Sequence, residues 1–127
     1  MNLQHHIGVA SQIGKYSDAI EVPAGARWLF TAGTPGLSLD GTLPEGIVAQ
    51  AEQAWVHIVT VLERAGMTVD DVVKVTHTLT RESDIAQYTQ VRSRFLGDAR
   101  PASMLLLTPA LVKPGFLIEI EVVAAKV

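Results

Sequence analysis

From Ile47 to Leu79 the chain reads IVAQAEQAWVHIVTVLERAGMTVDDVVKVTHTL, and the spacing of its apolar residues changes once along the way. Ile47, Ala51, Ala54, Ile58 and Leu62 recur every three or four residues, with Trp55 and Val61 beside the same stripe. That period predicts an amphipathic helix. Gly66 follows where a left-handed cap is wanted. Val73, Val75, His77 and Leu79 then alternate with Lys74, Thr76 and Thr78, which predicts a strand with one apolar face. Downstream, a second helix is expected from Ser83 or Asp84, either of which suits an N-cap. Its stripe is Ile85, Tyr88, Val91 or Arg92, and Phe95, and Gly97 closes it. Met104–Leu107 and Phe116–Ala125 read as apolar strands. Upstream, residues 17–22 alternate loosely, Pro23-Ala24-Gly25 is a turn and Arg27–Thr31 is rich in strand formers, so a hairpin is expected. Residues 33–46 hold four glycines and two prolines without a period, a long loop of the kind that often carries function.

Strand, strand, helix, strand, helix, strand, strand is the order of an α+β fold. It predicts a single two-layer domain over residues 1–127, a mixed sheet with two helices on one face. The uncovered sheet face calls for a partner, and composition agrees. The chain is 48% hydrophobic and 18% charged, with a mean hydropathy of +0.27. Such a composition excludes disorder and suits a soluble oligomer. A formal net charge of −3 lacks the basic footprint of a nucleic-acid binder, so none is expected as a partner. Absence of cysteine removes disulfides, thiolate catalysis and cysteine–metal sites together. No apolar run approaches the roughly 18 residues of a membrane helix. Met1–His6 lacks the pattern of a secretion signal, and the expected compartment is the cytoplasm.

Few residues invite chemistry. Glu119 and Glu121 sit two apart in the apolar last strand, on one face and roughly 7 Å from each other. They are either a solvent-facing or lysine-paired feature (Lys113 or Lys126) or a general acid/base in a pocket. His5 and His6 lie in an N-terminal stretch expected to fray, His57 is off the helical stripe, and His77 reads as a satisfied core residue. Metal-ligand spacing, a nucleophile elbow and a phosphate loop are all missing, so no metal is expected.

Six segments in order resemble the Rid family (RidA/YjgF, L-PSP endoribonuclease-like). They are Ile13-Gly14-Lys15-Tyr16, Leu29–Thr34, Ala49-Gln50-Ala51, Ala65–Thr76, Arg100-Pro101-Ala102-Ser103 and Leu117–Glu121. The resemblance implies a chorismate-mutase-like homotrimer with small-ligand sites in clefts between subunits. RidA-type members hydrolyse 2-imino acids to 2-keto acids and ammonia without a cofactor. Carried over, Tyr16 lines the cleft, the backbone at Ala32, Gly33 and Thr34 approaches the ligand, and Glu119 holds the attacking water. Ser103 departs from the pattern, for it stands where RidA-type members carry the arginine that grips the substrate carboxylate. A serine cannot replace that bidentate contact. Arg92 on the second helix and Arg100, at an odd offset in the strand, are the candidate substitutes. The implied activity is imine or enamine deamination with a substrate other than the usual 2-imino acids. The alternative is a non-catalytic small-ligand-binding or regulatory trimer. Ribonuclease activity, suggested only by the family's older name, conflicts with the acidic balance.

Overall fold

The computed structural model describes all 127 residues. In chain order its elements are β1 (Leu3–His5), β2 (Ala19–Glu21), β3 (Arg27–Phe30), β4 (Thr34–Pro35), α1 (Ile47–Arg64), β5 (Val72–Leu79), α2 (Ile85–Leu96), β6 (Ala102–Leu107) and β7 (Ile118–Lys126). The main sheet runs β3-β7-β5-β6, with β4 also paired to β7. Only β5 and β6 are parallel, and α2 is the crossover between them. The architecture is the expected α+β one, a mixed sheet carrying both helices.

Alternation decides which side chains meet the helices. In β5, Val75, His77 and Leu79 are fully buried, and in β7 so are Ile118 and Ile120. These pack with Trp55, Ile58 and Leu62 of α1 and Tyr88 and Val91 of α2 in one apolar core. Thr76, Thr78, Glu119 and Glu121 therefore project from the opposite face. Trp28 and Phe30 join that face, their rings stacked at 6.1 Å and exposed.

The expected hairpin between residues 17–22 and 27–31 does not form. β2 pairs instead with β1, Leu3 opposite Glu21, while β3 pairs with β7, Arg27 opposite Lys126. Leu29 reaches the core only by pairing with the apolar last strand. The N-terminus is drawn back by Asp18, whose carboxylate accepts the amides of Ile7 at 2.7 Å and Ala10 at 2.8 Å. Those bonds hold the Asp18 carboxyl below its ordinary range. His5 is consequently ordered, 2.9 Å from Glu21 Oε1, and not frayed. Asp84 does not cap α2 with its side chain; it pairs with Arg81 at 2.8 Å. The long loop is tied down by His57, which bonds Leu37 O at 2.7 Å, and by Gln50. Buried Gln50 donates to Pro44 O (3.1 Å) and Gly115 O (3.0 Å) and accepts from the Leu117 amide (2.9 Å).

Candidate functional site

Ser17 docks the N-terminal segment onto the start of β6. Its amide donates to Pro101 O at 3.1 Å and its hydroxyl to Arg100 O. Tyr16, one residue earlier, is thereby held beside Ser103. Between residues 13–16, α2 and the first residues of β6 lies a cavity of about 890 Å³. Tyr16, Lys15, Arg92 and Ser103 line it, with Ile13, Ile85 and Met104 among its apolar walls. A β-carbon built on Gly14 would sit 3.4 Å from the Tyr16 ring and 4.0 Å from Arg92 Nη2, so ring and guanidinium flank this glycine. No carboxylate lines the cavity. The ion pairs of the chain are His5–Glu21, Arg81–Asp84 and Arg94–Glu52, which leaves the Arg92 charge uncompensated. A concave, partly apolar pocket with two unpaired cations favours a small anion with an apolar body.

Beneath Ser103 runs a buried polar chain. Ser103 Oγ lies 3.0 Å from His77 Nε2, His77 Nδ1 bonds the Tyr88 hydroxyl, and Trp55 Nε1 donates to Tyr88 Oη at 3.3 Å. The His77 and Tyr88 rings meet edge to face, centroids 5.3 Å apart. Burial, helped by the nearby Arg92 charge, lowers the His77 pKa from 6.5 to about 3. Burial likewise pushes the Tyr88 phenol up, keeping it protonated. Sequence reasoning placed His77 in the core correctly but missed its link to Ser103. The one available signal was a polar residue on an otherwise apolar strand face.

Arg100 is not in the cavity. Its guanidinium donates to Gly97 O and Ala99 O, both at 2.9 Å, and so caps the end of α2. Of the two candidate substitutes, Arg92 is the one beside Tyr16 and Ser103.

The remaining predicted residues form a second group. Thr34 pairs with Ile120, and Gly33 lies against Glu119 so closely that a β-carbon there would be 2.1 Å from Glu119 Oε1. The Thr34 hydroxyl donates to Ala32 O at 3.1 Å. Glu119 and Glu121 form no ion pair with Lys113 or Lys126, and Lys126 donates instead to Gly66 O at 3.2 Å. Ser103 aligns with Val75 and Glu119 with Thr78, one strand beyond and on the other face. Two strand spacings across and three residues along put their Cα atoms about 14 Å apart. The single chain thus brings Tyr16, Arg92 and Ser103 together and holds Ala32, Gly33, Thr34 and Glu119 apart from them. No three His, Asp or Glu side chains gather in a group suited to a metal ion. No helix is long and apolar enough to cross a membrane.

Residues 8–126 match the family model described as Endoribonuclease L-PSP. The chain belongs to the Rid family. A RutC family protein of Pyrococcus abyssi is 35% identical over 116 residues, covering 90% of this chain and 88% of that one. A protein of Mus musculus named 2-iminobutanoate/2-iminopropanoate deaminase is 30% identical over 116 residues, covering 90% and 83%. Among solved structures, the Rid-family protein YyfB of Yersinia pestis superposes with a TM-score of 0.85 at 26% identity, covering 98% of each chain. E. coli TdcF with bound serine gives a TM-score of 0.75 at 25% identity, covering 98% and 96%. Rid membership explains the order of the six segments, and the Rid relatives named as imine deaminases set the class of chemistry to be weighed.

Proposed function

We propose that this Rid-family chain hydrolyses an imine or enamine bearing an anionic group, and that Arg92 is the anchor for that group. One observation carries the reading: in a cavity without a carboxylate, Arg92 stands uncompensated beside Tyr16 and Ser103. Relatives named as 2-imino acid deaminases and a fold neighbour holding serine support a small carboxylate ligand. Water adds to the imine carbon, its proton passes to an acceptor, and the carbinolamine collapses to a ketone with loss of ammonia. Glu119 is the proposed acceptor. Because it lies about 14 Å from Ser103 by sheet geometry, the Glu119 that serves a given cavity comes from a neighbouring copy in a homotrimer. The anchor reaches from α2 instead of from β6. Small 2-keto and 2-imino acids are therefore held by their carboxylate, but the imine carbon of 2-iminobutanoate sits out of line for attack and the compound turns over slowly.

The separation of Glu119 from the cavity also favours a second reading, a trimer that binds such anions without turnover. A semicarbazide-competition assay with 2-iminobutanoate and bulkier imines, run beside calorimetric binding of 2-oxobutanoate, decides between them. The hydrolase reading expects ammonia release that falls on the order of ten- to a hundredfold in Arg92→Ala, the loss of a charged hydrogen-bonded contact. Arg92-dependent 2-oxobutanoate binding with no imine hydrolysed supports the binding reading. Unchanged binding and turnover in folded Arg92→Ala removes both.

A further inference from the structure

Donor and acceptor bookkeeping along the buried chain allows one arrangement of protons. The Trp55 indole can only donate, and it donates to Tyr88 Oη. Tyr88 remains protonated and has one hydrogen to give, and its other polar neighbour is His77 Nδ1. His77 Nδ1 therefore accepts and bears no proton. The single ring proton of the neutral imidazole sits on Nε2 and is donated to Ser103 Oγ. Ser103 has then accepted its bond from the protein interior, and its own hydroxyl hydrogen is left for the cavity it lines.

We infer that His77 is a positioning residue for ligand recognition: held in one tautomer by Tyr88 and Trp55, it aims the Ser103 hydroxyl into the cavity as a hydrogen-bond donor beside Arg92. The assignment also tells against a serine nucleophile. A histidine acting as base on Ser103 would have to accept the serine's proton at Nε2, and that position is already a donor. Fully buried His77 and Tyr88 cannot reorient without leaving a polar atom unpaired in the core. The donor is thus in place before any ligand arrives, which spares the cost of ordering it on binding. Ser103 is then a specificity-determining residue, suited to a ligand whose acceptor atom lies next to the anionic group on Arg92. This inference rests on the reading of the cavity as an anion site.

The test has two arms. Nitrogen-15 NMR of the labelled wild-type protein at neutral pH is expected to show His77 Nδ1 as pyridine-like and Nε2 as pyrrole-like. The reverse pattern overturns the inference without reference to any ligand or to the folding of any variant. In the second arm, 2-oxobutanoate binding is expected to weaken about tenfold in Ser103→Ala, as the hydrogen bond to the acceptor beside the carboxylate is lost and its site is left without a donor. A similar weakening is expected in Tyr88→Phe, although Tyr88 never touches the cavity, and Ser103→Thr should restore affinity. If folded Ser103→Ala and Tyr88→Phe bind as the wild type does while Arg92→Ala does not, the positioning role falls and the anion site stands. If the wild type itself does not bind 2-oxobutanoate, the anion reading falls and takes the role of Ser103 with it.

Discussion

Two glycines three residues apart illustrate how differently one residue type can act. At Gly33 an added β-carbon meets the carboxylate end of Glu119, 2.1 Å from Oε1, a flexible group that can swing away. At Gly36 it meets the backbone of Gln50, 2.1 Å from the carbonyl oxygen, which cannot. Gly33→Ala is therefore expected to keep its melting temperature within a few degrees while lowering turnover severalfold by displacing Glu119. Gly36→Ala should instead lose roughly 2 kcal/mol or more of stability, in the range of an overpacked site. Thermal melts beside imine assays check both, and a Gly33→Ala protein that hydrolyses imines as fast as the wild type would separate Glu119 from the proposed chemistry. Much of the site was legible at this scale only as identity. Tyr16, Ser103 and Glu119 stood out in the sequence, yet offset counting could not choose between Arg92 and Arg100. That choice depends on Arg100 turning back onto the end of α2, a local capping contact with no periodic signature.

Helices and central strands were legible for a physical reason: each buries one face, and burial writes a period into the sequence. α1, β5 and β7 lie close to their expected bounds. β1 escaped notice because all three of its residues are exposed, so nothing in its pattern distinguishes pairing from fraying. His77, at the middle of β5 with Tyr88 of α2 and Ser103 of β6 as its partners, ties the stability of this βαβ unit to pH. Its pKa is about 3 in the fold against an ordinary 6.5. The unfolded chain thus takes up a proton that the folded chain refuses. Stability from this group is complete above pH 6.5 and is lost as pH falls toward 3, at about 1.4 kcal/mol per unit. Urea unfolding at pH 7, 6 and 5 should show that decline, and His77→Gln, which does not titrate, should flatten it. Gln50 has a comparable role between elements. With three bonds joining α1 to two loops, Gln50→Leu is expected to destabilise by about 3 kcal/mol in the same measurement.

Taken whole, the molecule leaves one side of its sheet uncovered, with Trp28, Phe30, Met104 and Leu106 exposed around a polar centre of threonines and glutamates. An apolar rim of this kind suits other copies of the chain. Sedimentation equilibrium is expected to give a mass three times the 13.6 kDa chain. Subunit mixing makes the sharper check. Arg92→Ala and Glu119→Gln proteins, each impaired alone, should regain activity when exchanged into mixed trimers, because some clefts then combine an intact Arg92 with an intact Glu119. Recovery that never exceeds the sum of the parents would place both residues in one subunit's site or neither in the chemistry. The sheet order has a further consequence for how the protein is made. β7 lies between β3 and β5, yet it leaves the ribosome after both. Until it is released, the nascent chain displays two apolar strands with open edges facing a gap, a state prone to pairing with the wrong neighbour. The centre of this sheet is therefore made after the strands on either side of it, and any lesion that delays or shortens β7 endangers the strands already made.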